Sequence, residues 1–324
     1  MQRAFRYRFY PTPVQEQMLN RTFGCIRVVW NRTLADRHQA YASEGRSVGY
    51  AETDRNLTAM KKQDGLEWLS EVSSVPLQQA LRHQHAALSA FIAKRARYPR
   101  FKSRRGRQSA TYTRSAFSWR NGQLKLAKMD DPLAIAWSRA LPDGADIPTT
   151  VTVSRDASGR WHVSMLVDDQ SVAPLPETGK TVGVDLGLKD FAVLSTGEKI
   201  RHPNHYRRKE QRLARYQRMM ARKQKGSKNR AKAKAKVART HAKVTDARRD
   251  FLHKASTDLI RRFDVVSVED LNVAGMVRNR PLAKSIAASG WAEFRTMLDY
   301  KAAWYGRRVA VVNRWYPSSK TCSN

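Results

Sequence analysis

Two carboxylates, each at the end of a short apolar run, are the residues of this chain best suited to chemistry. Asp185 follows the residues TVGV, and Glu269 follows VVSV. Both runs alternate as half-buried strands do. Two strands that each end in an acid can place the carboxylates side by side, where they repel each other until a divalent cation binds. The alternative is that Asp185 caps a turn and Glu269 is an exposed side chain at a strand end.

The segment after Asp185 predicts how this acid is held. Gly187 lets the chain turn, and the residues FAVL at 191–194 form a second apolar run. The residues STG at 195–197 are typical of a turn and close this run. The pattern predicts a β-hairpin that carries Asp185 on its first strand.

The charge balance indicates a polyanionic partner. The 324 residues include 61 Lys and Arg against 28 Asp and Glu, which gives a net charge of +33. Such an excess favours nucleic acid. A membrane is not expected, because no apolar run approaches the roughly 18 residues of a spanning helix and the N-terminal residues MQRAFRYRFY lack the apolar centre of a signal peptide. The cytoplasm is the expected location.

The cysteines exclude a disulfide framework. The chain has only two, Cys25 and Cys322, too few for the bridges of a small secreted domain. Cys25 lies among apolar residues and is expected to be a small buried side chain.

The N-terminal residues predict a strand with two different faces. In AFRYRFY, the aromatic residues Phe5, Tyr7 and Phe9 alternate with Arg6 and Arg8. A strand of this pattern can pack its aromatic face in a core and offer its basic face to phosphate. We therefore count both arginines among the candidate nucleic-acid contacts.

A helix is predicted directly after this strand. Thr12 suits the N-cap, Pro13 the first helical position, and Gln15 completes a capping box. Helical spacing of apolar residues then continues to about residue 97. The patterning predicts a helical insert at 14–97 between the first strand and a later β-rich region.

The insert ends in a basic segment, KRARYPRFKSRRGR, with Tyr98 and Phe101 between the cations. A solvated surface is the alternative, but cations interleaved with aromatics can hold phosphates while the rings stack on bases. The candidates for nucleic-acid binding here are Arg100, Lys102, Arg104 and Arg105. From here to about residue 168 the short alternating runs predict β-strands, which would form a small barrel or a sandwich together with the first strand. The residues QSVAPLPETGK predict a linker.

A second basic region follows the hairpin. Between Arg201 and Asp250 there are nineteen Lys and Arg against three acids. Apolar stripes on both sides of Gly226 predict two helices joined by a basic hinge, within 201–262, although a disordered tail is the alternative for part of it. The candidate nucleic-acid contacts are Arg208, Arg212, Arg215, Arg222, Lys223, Lys228, Arg230 and Arg248.

Taken together, VDLGLKDFAVLSTG, RRDFLHK and VVSVEDLNV resemble the RuvC-like nuclease domain of the TnpB family, the small transposon-encoded relatives of type V CRISPR effectors. The resemblance extends to RFYPTPVQEQMLNRTFGCIRVVWN, YPRFKSRRGRQSATYT and the final YPSSKTCS. It implies an α/β fold with a ribonuclease H-like domain at 181–324. It also implies a β-barrel wedge domain at 1–13 and 98–170, a recognition insert at 14–97 and a linker at 171–180.

The resemblance implies an RNA-guided DNA endonuclease that acts as a monomer or homodimer in a prokaryotic cell, in association with the nucleoid. A guide RNA would pair with one strand of double-stranded target DNA. Two Mg²⁺ ions would assist hydrolysis, with Asp185 bridging both ions and Glu269 holding one. VGVDLGLKD also resembles the first phosphate loop of actin-like ATPases and sugar kinases, but a second Gly-rich loop is missing from the sequence.

The sequence departs from the family pattern after YPSSKTCS. Family members continue into a zinc ribbon and a third acid, whereas Cys322 is at most one zinc ligand of four. Asp270 and Asp299 are poor substitutes for the third acid, because neither matches its position. The expectation is therefore that the chain binds DNA but cuts it slowly or not at all, with one metal ion held weakly. The alternative function is a non-cleaving RNA-guided repressor or regulator of transposition.

Overall fold

The computed structural model describes residues 1–142 and 147–313. The chain divides into two compact units, Met1–Ser171 and Val172–Asn324, each with its own buried core of aliphatic and aromatic side chains. Within the described ranges, none of the helices has both the length and the apolar surface that crossing a bilayer requires.

The first unit combines an antiparallel sheet with helices that follow its first strand. Its five-stranded sheet has the order β2-β6-β7-β1-β5, and β3 and β4 form a separate hairpin. In chain order the elements are β1 (Gln2–Phe9), α1 (Pro13–Glu44), α2 (Tyr50–Met60), a 3₁₀ turn (Glu67–Ser70), α3 (Ser74–Ile92), β2 (Gln108–Thr113), a 3₁₀ turn (Arg114–Ala116), β3 (Phe117–Arg120), β4 (Gln123–Leu126), β5 (Ile135–Ala136), β6 (Thr150–Arg155) and β7 (Trp161–Asp168).

The barrel expected for this unit is not found in the residues that the structure describes. β2 and β5 are the two edges of the sheet, and each pairs with one neighbour only. A barrel closes when its edge strands pair with each other. Here β5 has two residues and is too short to close the sheet, and β3 and β4 pair only with each other in the described residues. The sheet is therefore open.

Strand β1 has the two faces that its sequence predicts. Phe5, Tyr7 and Phe9 are buried, whereas Arg6 and Arg8 are exposed. β1 pairs with β7 along its whole length, so that alternate side chains face opposite sides of the sheet. The aromatic side joins the core that contains the helices, and the cations remain on the outside.

Helix α1 begins at the predicted capping box. Gln15 donates its backbone N–H to Thr12 Oγ1 at 3.2 Å, and its side-chain oxygen accepts from the Thr12 N–H at 3.1 Å. This reciprocal pair satisfies backbone donors that a helix start otherwise leaves unpaired. Gln15 Nε2 also donates to the carbonyls of Asp131 and Pro132, which fixes the helix start against the loop before β5.

The second unit is a mixed sheet with helices. The sheet has the order β10-β9-β8-β11-β12, in which β8, β11 and β12 are parallel, and β9 is antiparallel to both of its neighbours, β8 and β10. The predicted hairpin is therefore confirmed. Its elements are β8 (Thr181–Leu186), β9 (Asp190–Leu194), β10 (Lys199–Arg201), α4 (His205–Ala221), α5 (Lys228–Arg262), β11 (Val265–Glu269), α6 (Val273–Met276), α7 (Arg280–Ser289), α8 (Trp291–Tyr305) and β12 (Arg308–Val312).

Helices α5 and α8 pack with this sheet in one core. Phe191 of β9, Leu259 of α5 and Phe294 of α8 are fully buried within it. Phe191 and Phe294 meet edge to face with ring centroids 5.0 Å apart, a preferred aromatic arrangement. This core holds β8 and β11 in place, so that their carboxyl ends lie at one edge of the sheet.

The second half of the predicted linker is fastened to the second unit. Leu175 donates its backbone N–H to the carbonyl of Tyr305 at 3.1 Å. Asp264 accepts from the backbone N–H groups of Thr178 and Gly179, and these bonds hold the pKa of its carboxyl below the usual value. We call residues 175–179 the anchor segment.

Candidate functional site

Asp185 and Glu269 are brought together by strand register. β8 and β11 are parallel, with Val266 opposite Val182 and Val268 opposite Val184. One step further along this register, Glu269 stands beside Asp185. Neighbouring strands lie about 4.8 Å apart and alternate residues share a face. The two carboxylates therefore project from the same side of the sheet at adjacent positions, as the sequence predicts.

Both carboxylates are available for a ligand. Asp185 and Glu269 are exposed, and within the described part of the chain neither makes an ion pair or a side-chain hydrogen bond. Carboxylate oxygens are the ligands that hard divalent cations prefer. Two acids side by side without a cationic partner therefore fit such an ion, which would relieve their mutual repulsion.

Local contacts hold the strand that carries Asp185. Gly183 donates its N–H to Ser195 Oγ at 3.0 Å, and Ser195 donates its backbone N–H to the Gly183 carbonyl at 2.9 Å. After the acid, Gly187 donates to the Phe191 carbonyl at 3.2 Å. A Cβ on Gly187 would lie 3.0 Å from the Asp190 carbonyl oxygen, so the turn is too tight for a larger residue without adjustment.

Two other acids of this unit are engaged elsewhere. Asp264 pairs with Arg307 at 2.7 Å, and Asp299 accepts from Arg295 Nε at 3.0 Å. No three His, Cys, Asp or Glu side chains converge on a metal position anywhere in 1–142 and 147–313. Cys322, the candidate zinc ligand, lies outside the described residues, as does the segment YPSSKTCS that contains it.

A cavity of about 400 Å³ opens beside Glu269. Helix α8 forms one wall, and the loop that contains α6 forms another. Trp291 and Arg295 of α8 also line the cavity, as do Asp270 and Asn272 of the loop. No local motif marks Arg295, because its approach to Glu269 depends on how α8 packs, whereas Asp270 and Asn272 lie within the run VVSVEDLNV itself.

The basic helical region forms a hairpin of two helices, as predicted. Gly226 has a φ of +88° in the connection between α4 and α5, a conformation that favours glycine. Six of the cations predicted there are exposed on α4, on the hinge or at the start of α5: Arg208, Arg212, Arg215, Arg222, Lys223 and Lys228. Their role in binding nucleic acid stays a prediction.

Arg230 and Arg248, also predicted to bind nucleic acid, make internal contacts. Arg230 donates from NH1 to the carbonyls of Met220 and Lys223 at 2.9 and 2.8 Å, which closes the end of α4. Arg248 donates to the Ala287 carbonyl at 3.2 Å and lies 3.6 Å from the carboxylate of Glu293. These contacts give both arginines a structural role that charge patterning alone does not reveal.

The basic segment that ends the helical insert is fastened to α1. Trp30 Nε1 donates to the Arg100 carbonyl at 3.0 Å, and Asn31 exchanges two hydrogen bonds with the backbone of Lys102. The Lys102 ammonium lies 4.4 Å from the centre of the Trp30 ring, and burial lowers its pKa. Arg100, Arg104 and Arg105 are exposed. The backbone is thus fixed while these three cations stay accessible.

Family comparisons match three parts of the chain. Residues 162–280 match a family described as a probable transposase, residues 291–324 match one described as the Cas12f1-like TNB domain, and residues 1–46 match one described as a helix-turn-helix domain. In this structure residues 1–46 form a strand and one continuous helix.

A protein of Streptomyces pristinaespiralis, named as an RNA-guided DNA endonuclease, is 56% identical over 323 residues, which are 99% of this chain and 80% of the relative. The chain belongs to the TnpB family. Another TnpB relative, InsQ of Escherichia coli (strain K12), is also named as an RNA-guided DNA endonuclease and is 30% identical over 98% of this chain and 82% of its own. The resemblance inferred from the sequence motifs is therefore confirmed.

A solved structure shares the fold of this TnpB family member. The cryo-EM structure of a Cas12f1–sgRNA–target DNA complex aligns with a TM-score of 0.60 over 100% of this chain and 91% of that one, at 11% sequence identity. At this identity the likeness concerns the fold alone. It supports a mixed α/β fold of the kind expected for a RuvC-like nuclease.

Proposed function

We propose that this protein is an RNA-guided DNA endonuclease of the TnpB type, with Asp185 and Glu269 as its catalytic carboxylates. The observation that carries the proposal is the register of β8 and β11, which sets two exposed acids side by side. The non-cleaving alternative is not favoured, because the relatives that match nearly the whole chain are named as endonucleases. We place its action in the prokaryotic cytoplasm, where nucleoid DNA is the substrate.

The acids fit divalent metal ions, and we propose Mg²⁺. When bound, such ions make a water molecule acidic and stabilise the leaving oxygen of the phosphodiester. Asp185 would contribute oxygens to two ions and Glu269 to one. The rigid parallel pair β8 and β11 keeps these oxygens in place, so little reorganisation is needed before the reaction. Cys322 remains a proposed zinc ligand, if further ligands complete that site.

The exposed cations supply the nucleic-acid contacts. We propose that Arg208, Arg212 and Arg215 on α4, together with the segment from Arg100 to Arg105, hold phosphates of the guide RNA and of the duplex that it forms with the target. Such contacts recognise the backbone and shape, while base pairing selects the sequence. Arg6 and Arg8, exposed on β1, add a further basic face. The number of chains in the working complex, one or two, is part of the test below.

The test begins with the RNA that co-purifies with the protein. Sequencing of nuclease-protected RNA should recover a discrete species, and the mass of the complex gives its stoichiometry. The complex should then cut a matched DNA duplex with Mg²⁺, and Asp185→Ala and Glu269→Gln should retain the RNA but lose cleavage.

Two outcomes would contradict the proposal. Recovery of random cellular RNA alone would leave a general polyanion binder. Equal cleavage by the wild type and by Asp185→Ala would show that the two carboxylates are not catalytic. Asp258→Asn is the matched control, because it removes a carboxylate that is already paired with Arg262 and lies outside the cavity beside Glu269.

A further inference from the structure

Three aromatic side chains are exposed where α3 ends and the chain turns back along α1. Phe91, Tyr98 and Phe101 are 41%, 39% and 62% exposed, and Ile92 beside them is exposed as well. Single exposed apolar residues are ordinary on a protein surface, but a group of them marks an interaction site. We call Phe91, Tyr98 and Phe101 the aromatic platform.

Two of the rings are held in a fixed orientation. Phe91 and Tyr98 meet edge to face with ring centroids 5.3 Å apart. The ring of His38 on α1 lies 6.5 Å from that of Tyr98, again at a steep angle. A ring that its neighbours already orient loses little conformational freedom when a ligand binds to it.

The backbone on both sides of Phe101 is fixed as well. The Arg100 carbonyl accepts from Trp30 Nε1, and the backbone of Lys102 exchanges two hydrogen bonds with Asn31. Phe101 thus projects into solvent from a segment that is bound to α1. Three residues of extended chain span at most about 10 Å, so Phe101 and Tyr98 are no farther apart than about three stacked nucleotides of one strand.

The charge around the aromatic platform favours a polyanion as its partner. Between Glu71 and Asp130 the sequence has thirteen Lys and Arg and no acid. Arg95, Arg97 and Arg100 are exposed, and in the described part of the chain none of them forms an ion pair. A second copy of this chain, with its net charge of +33, would bring like charges together at this surface, which is costly.

The acids on the neighbouring half of α1 do not reverse this charge, because each has a cation of its own. Glu44 pairs with Arg46 at 3.1 Å. Asp36 lies near Arg32, whose charge acts on its carboxyl. The cations next to the aromatic platform therefore remain available to phosphate.

We propose that the aromatic platform stacks unpaired bases of a single-stranded nucleic acid, while Arg95, Arg97 and Arg100 hold the phosphates of that strand. Every base has a π face, so such a site binds without selecting sequence. The aromatic platform belongs to the first unit, whereas both carboxylates belong to the second. That the strand is the guide RNA or a displaced DNA strand rests on the proposed function.

The direct test observes Tyr98 without requiring cleavage. Protein freed of bound RNA and labelled with 3-fluorotyrosine reports each tyrosine by ¹⁹F NMR, and Tyr98→Phe assigns the signal of interest. Titration with hexauridylate should shift this signal, because a stacked base changes the magnetic environment of the ring. A hexamer of abasic ribose phosphates carries the same charge and should leave the signal in place.

Phe101→Leu removes the aromatic face but keeps an apolar side chain. It should weaken the affinity for hexauridylate that the Tyr98 signal reports by about tenfold. This factor corresponds to about 1.4 kcal/mol, within the range that one stacked base contributes. Since Phe101 is exposed, the variant should keep the melting temperature of the wild type.

Tyr10→Leu is the matched control. Tyr10 is 60% exposed and also has an arginine over its ring, with the guanidinium of Arg8 at 5.5 Å. It lies just before α1, which runs without a break from Pro13 past His38. This length of helix is about 38 Å, so Tyr10 is far from the aromatic platform. The variant should titrate like the wild type.

Hexadeoxyuridylate, titrated in parallel, should also shift the Tyr98 signal, because stacking does not use the 2′-hydroxyl. The tighter of the two oligonucleotides identifies the strand as RNA or DNA. Fluorescence anisotropy of the labelled oligonucleotides shows when binding is saturated.

The outcomes separate this inference from the proposed function. A base-dependent Tyr98 shift in a protein that never cuts DNA would support the aromatic platform and contradict the endonuclease. No shift at saturation, or an equal shift with the abasic hexamer, would overturn the aromatic platform whether or not the protein cuts DNA. A dimer of the free protein that Phe101→Leu dissociates would also overturn it, because a second copy would then cover these rings.

Discussion

Glu269 stands one register step beyond the paired residues Val268 and Val184, and this places it beside Asp185 at the edge of the second sheet. Each acid is exposed, and within the described chain neither has a cationic partner. Two like charges at adjacent strand positions destabilise each other. A ligand of opposite charge should therefore have a measurable effect on stability.

Removal of one of these acids should abolish stabilisation by divalent metal. Mg²⁺ or Mn²⁺ at ten times its dissociation constant should stabilise the wild type by about 1.4 kcal/mol, and thus raise its melting temperature. Asp185→Asn should show no such rise, and it should be slightly more stable than the wild type in EDTA because the repulsion is gone. Calorimetry with and without metal measures both effects.

The control for this prediction is Asp258→Asn, which leaves both candidate ligands in place and removes a carboxylate paired with Arg262. It should keep the full metal-dependent rise. An equal rise in the wild type and in Asp185→Asn would mean that the two acids serve the structure and do not bind the ion together.

The exposed face of α4 should determine part of the salt dependence of RNA binding. For single-stranded nucleic acid, the slope of log K against log salt is about −0.7 for each phosphate contact. Replacement of Arg208, Arg212 and Arg215 by glutamine should therefore reduce the slope of log K against log salt by up to about 2. Filter binding across a series of salt concentrations measures this slope.

Arg230→Met provides the contrast, because the guanidinium of Arg230 closes the end of α4. It should lower the melting temperature and leave the slope close to that of the wild type. If the triple variant kept the slope of the wild type, the RNA surface would lie elsewhere.

His162 on β7 should make the first unit sensitive to acid. Burial lowers its pKa to about 4, and the charge of Arg6 adds to the effect. In the unfolded chain a histidine has a pKa of about 6.5. At a pH between these two pKa values, the unfolded chain binds more protons at this histidine than the folded chain does. Stability is therefore full above about pH 6.5 and falls as the pH drops toward 4, by about 2 kcal/mol at pH 5.

The measurement compares urea unfolding of the wild type and of His162→Gln at pH 7 and pH 5. The variant should lose less stability than the wild type over this interval, because it has no proton to gain at this site. Equal losses would show that other groups, and not this histidine, determine the acid response.

Features encoded within a few neighbouring residues could be predicted from the sequence. The alternation of Phe5, Tyr7 and Phe9 defines the faces of β1, and the pair Thr12 and Gln15 defines the start of α1. The hairpin after Asp185 depends on a turn of similarly short range. In each case the interactions that decide the structure lie within one strand or one helical turn.

Features that depend on distant pairing could not be predicted in the same way. Whether the first sheet closes depends on which strands meet β2 and β5, and alternation in each strand is compatible with both results. The charges of Arg230 and Arg248 do not reveal that distant carbonyls bind them. Likewise, Arg295 approaches Glu269 only because α8 packs beside the end of β11.

The anchor segment determines where recombination between related proteins can replace the first unit. Its residues precede β8 in the chain, but their hydrogen bonds go to Asp264, Tyr305 and Arg307 of the second unit. A recombination event that joined a new first unit directly at β8 would remove the hydrogen-bond partners of these residues. The guanidinium of Arg307, for example, would lose the Pro176 carbonyl. The boundary across which halves of related proteins can be exchanged therefore lies before residue 175, about where Ser171 meets Val172.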